Sequence, residues 1–133
     1  MAQRINSRRK GTAGELEVAG LIRQHLGETR RNLDQARDGG ADLEFEGYLF
    51  EVKRKERLML NSWWEKLLKT AAKTGEKPIL AYRTNRKPWV FRMRLSDVHT
   101  DFDHQGDWYT IDCGAEEAFA IIRNSLAISE GLQ

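Results

Sequence analysis

Apolar positions recur at two spacings along the chain, and the spacing assigns the elements. Between residues 11 and about 27, Val18, Ala19, Leu21, Ile22 and Leu26 fall three and four apart, the period of one helical face. Gly27 is placed to stop that helix. Residues 29–34 suit a short strand, and residues 35–41 a loop around Gly39 and Gly40. From Asp42 to Glu46, acidic and apolar residues alternate with the period of a strand. Gly47 supplies a turn, and residues 48–53 return as the partner strand. Residues 61–74 predict a second helix, with Trp64, Leu67, Leu68 and Ala71 on one stripe and Asn61 or Ser62 as its cap. Residues 79–83 and 89–94 predict two more strands. An acidic loop follows, then an extended stretch at 108–111 and a helix from 115 to about 128. Helix, strands, helix, strands, helix is the order of an α/β domain, a central mixed β-sheet flanked by helices.

Composition narrows the class. The 133 residues are one domain's worth, and no repeat or linker divides them. Hydrophobic residues make up 40% and charged residues 32%, with a mean hydropathy of -0.66. No apolar run is long enough to cross a bilayer, so no membrane partner is expected. The first ten residues carry charge with no apolar stretch behind them, which argues against a secretory signal. Cys113 is the single cysteine, so no intrachain disulfide forms, and a cytoplasmic setting is expected.

The net charge of +2 conceals a division. Residues 1–95 hold 21 Lys and Arg against 12 Asp and Glu, a balance of +9. Residues 96–133 hold Arg123 against eight acids, a balance of -7. A basic body of this kind suits a polyanion such as nucleic acid, although two solvated surfaces would give the same counts.

The candidate chemistry lies in the hairpin. Side chains two apart on a strand share a face, so Glu51 and Lys53 point one way and Val52 the other. A carboxylate beside an ammonium suits metal-assisted hydrolysis: the acid holds a hard cation, and the lysine orients the attacking water. Pairing of 42–46 with 48–53 brings Asp42 close to both, and two acids around one point make a minimal Mg2+ or Mn2+ site. A cross-strand ion pair on a solvated face is the plain alternative. In the first helix, Glu15 precedes Ala19 by four and Ile22 by seven, which sets it on the apolar stripe. Glu17, turned about 200° from Glu15, is expected to face solvent. An inward acid near a helix start is either a dipole partner or a site residue.

Taken together, these residues resemble the PD-(D/E)xK nucleases, and within them the archaeal Holliday-junction resolvases and related short phage proteins. Arg9-Lys10-Gly11 precedes Glu15, as a basic Arg-Lys-Gly precedes a helical Glu in that family, and Glu17 adds a second acid. Asp38-Gly-Gly-Ala-Asp42 stands for the glycine-rich loop that ends in Asp, with Ala41 in place of the family's Pro. Glu51-Val52-Lys53 stands for Glu-x-Lys after the apolar Tyr48-Leu-Phe50. Residues 77–83 and Pro88-Trp89 match the later strands, and the serine that many resolvases carry in the loop is missing. The likeness runs over about residues 8–95 and leaves residues 96–133, the acidic C-terminal region, unmatched.

The resemblance implies a restriction-endonuclease-like core and a Mg2+-dependent DNA endonuclease, with Mn2+ as a substitute. Its catalytic residues would be Glu15, Asp42, Glu51 and Lys53. Asp42, Glu51, the Val52 carbonyl and Glu15 would hold metal, and Lys53 would activate water. Arg8, Arg9, Lys10, Arg37, Arg54 and Lys55 lie beside these motifs as candidate phosphate contacts, which carry no sequence information and suit a structure-selective enzyme. A Holliday-junction resolvase acting as a C2 homodimer on branched or duplex DNA is the function implied, in the host cytoplasm if the protein is phage-encoded. Nicking, flap or restriction-like nucleases, a non-catalytic DNA-binding module and a protein-interaction domain are the alternatives.

Other signals lead nowhere. Residues 101–112 lack the spacing of a calcium loop, and His25, His99 and His104 lack that of a metal site. No nucleotide-binding fingerprint is present, so no nucleotide cofactor is expected. Trp64 is expected in the core, and Trp63 at a subunit interface or stacked on a splayed base.

Overall fold

The computed structural model describes the backbone of residues 2–26 and 43–131, and side chains from residue 12 onward within those segments. The expected strand at 29–34, the loop at 35–41, Arg37 and Asp42 lie outside the described residues. So do the side chains of Arg8, Arg9 and Lys10, whose backbone belongs to the first helix.

Helix α1 spans Ala2–Leu26 and begins nine residues before the expected start at residue 11. The stripe marks only the part that meets the sheet; residues 2–10 contain no proline and are mostly good helix formers. Strands β1 (Leu43–Phe45) and β2 (Tyr48–Arg54) form the expected hairpin, with Leu43 opposite Phe50 and Phe45 opposite Tyr48. Its two-residue turn, Glu46-Gly47, has both residues at positive φ, 49° and 88°, the hand that suits the twist of a hairpin.

Helix α2 (Leu60–Thr74) crosses over to β3 (Lys77–Arg83), which runs parallel to β2. The cap of α2 corrects the expectation. The helix starts one residue earlier, its capping position is Met59, and no side chain caps it. Burial of Trp64, Leu67 and Ala71 against the sheet holds the helix instead. Gly75 closes it in the left-handed conformation, donating its N–H to the Ala71 carbonyl.

Strand β4 (Val90–Arg94) returns antiparallel to β3, and a short helix α3 (Leu95–Val98) and a 3-10 turn (Thr100–Phe102) lead to β5 (Thr110–Gly114). β5 pairs antiparallel with β4, and helix α4 (Ala115–Gly131) completes the chain. The five strands stand in sequence order in one mixed sheet. The acidic C-terminal region, which the motifs left unassigned, therefore supplies an edge strand and a helix of the same domain.

Each face of the sheet carries its own core. On one face, α1 and α4 bury Val18, Ile22, Phe119 and Ile122 against Phe50, Val52, Ile79, Phe91 and Met93. On the other, α2 buries Trp64 and Leu67 against Leu49, Leu80 and Tyr82. The alternation along β2 thus sends Phe50, Val52 and Arg54 toward α1, and Leu49, Glu51 and Lys53 toward α2. Among the described residues, no helix is long and apolar enough to cross a membrane.

Candidate active site

Glu51 and Lys53 share the α2 face of β2, and the ammonium lies 3.2 Å from the Glu51 carboxylate. Their side chains keep 14% and 26% of their exposure, so the pair sits at the rim, sheltered but reachable. The indole of Trp63 on α2 comes beneath Lys53, with Nζ 5.7 Å from the ring centroid, a cation–π geometry. Trp64 fills the core as expected, and its Nε1 donates to the Asp107 carbonyl at 3.0 Å.

The register continues this face across the sheet. Glu51 is level with Leu80, then with Arg92 on β4 and Asp112 on β5. Arg92 grips Asp112 with two bonds, Nε to Oδ1 at 2.8 Å and an Nη to Oδ2 at 3.0 Å. The Tyr82 hydroxyl donates to the same carboxylate at 2.5 Å. Burial, and then the neighbouring Asp112 carboxylate, push the Tyr82 phenol well above its ordinary value of 10.0. The motifs did not single out Tyr82, Arg92 or Asp112; only the pairing of β4 with β5 brings them together.

Asp112 is not alone among the acids of the C-terminal region. Arg94 binds Asp97 at 2.8 Å and Asp107 at 3.1 Å. Part of the division between basic body and acidic region is therefore closed within the fold, by Arg92 and Arg94 of the body. The net balance of residues 1–95 overstates the charge offered to a partner.

Glu15 sits on α1 beside Gly14, where the helix runs close to the sheet. A Cβ built on Gly14 would lie 3.4 Å from Val52 Cγ1, Arg54 Cβ and the Trp89 ring. Glu15 is half-buried, as its place on the apolar stripe predicts. Glu17 departs from expectation. It was expected in solvent, yet its carboxylate accepts from Arg54 Nη1 at 2.9 Å and Trp89 Nε1 at 3.2 Å, and pairs with Arg83 Nη1 at 3.2 Å. The long cations at the ends of β2 and β3 reach round the helix to it, which residue spacing within one helix does not reveal.

Among the expected phosphate contacts, Arg54 is thus engaged with Glu17, and Lys55 is exposed just past β2. Among the described residues, no group of three or more Asp, Glu, His or Cys side chains gathers as if around a metal ion. Glu51 and the Val52 peptide are the expected ligands lying within described strand β2, and Asp42 immediately precedes β1.

No curated protein matches the chain. Among solved structures, the Holliday junction resolvase Hjc of Archaeoglobus fulgidus is similar at 16% identity and a TM-score of 0.46, over 78% of this chain and 88% of that one. Residues 6–120 match the family described as "phage putative PDDEXK endonuclease", which extends the likeness from about residue 95 through β5 and into α4. With most of its length matched, the chain belongs to this PDDEXK endonuclease family.

Proposed function

We propose that the protein is a divalent-cation-dependent DNA endonuclease that selects branched DNA, acting as a Holliday-junction resolvase. The observation that carries the proposal is the Glu51–Lys53 pair, 3.2 Å apart on the rim of β2, with Asp42 preceding it in the sequence. Membership in a nuclease family supports the reaction type, and the resemblance of the motifs to junction resolvases supports the substrate.

The donor set suits a hard cation. Glu51, Asp42, Glu15 and the Val52 carbonyl offer oxygen alone, with no thiolate or imidazole, which favours Mg2+ or Mn2+ over softer metals. When bound, such a cation neutralises charge at the phosphate. The chain's own residues do the rest. Lys53, held by Glu51 and by the face of Trp63, presents N–H donors at the rim and orients the attacking water. Arg8, Arg9, Lys10, Arg37 and Lys55 hold the phosphate backbone without reading bases. A homodimer with twofold symmetry would present two such sites to the paired strands of a junction. The lone cysteine agrees with action in the cytoplasm.

Four-way junction, flap, linear duplex and single-stranded DNA, each incubated with and without Mg2+, test the proposal. The expected result is Mg2+-dependent cleavage of the junction, lost in Asp42→Asn while junction binding persists. Cleavage of linear duplex alone would replace the junction with another DNA substrate. Binding without cleavage in either Mg2+ or Mn2+ would reduce the protein to a DNA-binding module.

A further inference from the structure

Arg54 and Arg83 are register partners on neighbouring strands, and both lie on the α1 face. Two like charges side by side in a sheet repel one another. Both guanidiniums are largely buried, with 24% and 20% of their side-chain exposure left, and among the described residues the Nε of each has no hydrogen-bond partner. Arg83 also lies over the Trp89 ring at 5.5 Å. What makes the pair tolerable is a carboxylate from another element, Glu17 of α1, set between the two and bonded to Trp89 as well.

The effect is geometric. A Cβ built on Gly14 would lie 3.4 Å from Val52, Arg54 and Trp89, so α1 runs close to β2 at this point. Further along, the buried stripe of Val18, Ala19 and Ile22 seats the helix on the sheet. Glu17 lies about 60° from Gly14 on the helical wheel, and its bonds to Arg54 of β2, Arg83 of β3 and Trp89 add a polar restraint on the roll of the helix at this end. Glu15, one position from Gly14 and two from Glu17 in sequence, leaves the helix about 160° from Glu17 on the wheel, on the side of the apolar stripe. Arg54, in turn, is the neighbour of Lys53.

We infer that Glu17 is a positioning residue: clamped between Arg54 and Arg83, it sets the roll of α1 and so holds Glu15 in place beside the strand that carries Glu51 and Lys53. This inference rests on the proposed nuclease reading. It gives Arg54 an internal duty in place of a phosphate contact.

A double-mutant cycle on junction cleavage under single-turnover conditions, with Mg2+, tests it. Glu17→Gln keeps the size of the side chain and removes its charge. In the wild-type background it is expected to slow cleavage about 10- to 100-fold with little change in junction affinity, the size of effect that a displacement near 1 Å produces. In a Glu15→Gln background the same change is expected to cost less than about twofold, because Glu15 is the residue through which Glu17 acts. Hydrogen exchange across residues 14–22 supplies a readout independent of cleavage and is expected to accelerate in Glu17→Gln. Arg83→Lys, which keeps the charge and removes the planar fork, serves where Glu17→Gln fails to fold, and the same loss of effect in the Glu15→Gln background is expected. An equal fall in both backgrounds would make Glu17 a general stabiliser and overturn the inference, as would wild-type cleavage by Glu17→Gln. A wild type that cleaves no DNA removes the reaction and, with it, the inference; an active wild type with additive variants overturns the inference alone.

Discussion

Lys53 and Arg54 are neighbours in sequence and lie in two different electrostatic settings. Lys53 faces α2 and meets one carboxylate, Glu51, at 3.2 Å, with the Trp63 ring at its side. Arg54 faces α1 and enters a network in which one carboxylate serves two guanidiniums and an indole. The pleat of β2 makes the separation, since successive side chains leave by opposite faces. Distance does not distinguish the two pairs: the α1 pair is the shorter, at 2.9 Å. What differs is composition and place. A compact ammonium at the rim, with rotatable donors beside an acid, can serve a water and a phosphate. Planar guanidiniums locked between a helix and a sheet hold elements together. On the proposed reading, Glu51 and Lys53 work on one face of the strand, while Glu17, Arg54 and Arg83 tie α1 to the other.

The largest expected effects break the chemical face and leave the other intact. Glu51→Gln and Lys53→Met should each slow junction cleavage by at least about 10³-fold, while melting temperatures stay within a few degrees of wild type. Damage to the α1 face should give the reverse signature. Arg83→Ala leaves Glu17 with one cation and uncovers Trp89, and is expected to cost about 1–3 kcal/mol of stability, measured by urea unfolding. An Arg83→Ala protein as stable as wild type would remove the distinction between the faces.

A smaller effect sharpens the chemical face. Trp63→Leu keeps apolar bulk and deletes the ring under Lys53, so cleavage should fall about two- to fivefold, in line with an exposed cation–π contact. Trp63→Phe should recover part of that loss. Equal rates for Leu and Phe would show that the ring does not hold the lysine.

The smallest effect concerns pH. Tyr82 has its folded-state pKa raised above 10.0, first by burial and then by Asp112. The folded protein therefore keeps a proton that the unfolded chain gives up. The stability this provides is complete below pH 10 and falls as pH rises above it. Tyr48, raised chiefly by burial, acts in the same direction. Tyr82→Phe should therefore flatten the loss of stability above about pH 10 in unfolding curves, without altering cleavage near neutral pH.

The hairpin was legible in the sequence because two local signals agreed: strict alternation up to Glu46 and a glycine where φ reaches 88°. The same alternation announced that Glu51 and Lys53 share a face. The stripe of α2 was equally clear, and its start was misplaced because Asn61 and Ser62 resemble caps while tertiary burial of Trp64 sets the boundary. Glu17 was misjudged for a related reason. Its helical position is peripheral, but Arg54 and Arg83 converge on it from strands 37 and more residues away. The Tyr82–Arg92–Asp112 contact depends wholly on β4 pairing with β5. No local pattern carries that information. Long-range partners are what a periodicity cannot encode.

The proposed reaction takes place on the Glu51–Lys53 face of β2. Single-turnover cleavage of a four-way junction in Mg2+, with wild type and Glu51→Gln side by side, tests it most directly. Cleavage by wild type, and a rate at least about 10³-fold lower in a Glu51→Gln protein of unchanged melting temperature, is the predicted result. A folded Glu51→Gln protein that cuts the junction as fast as wild type would contradict it.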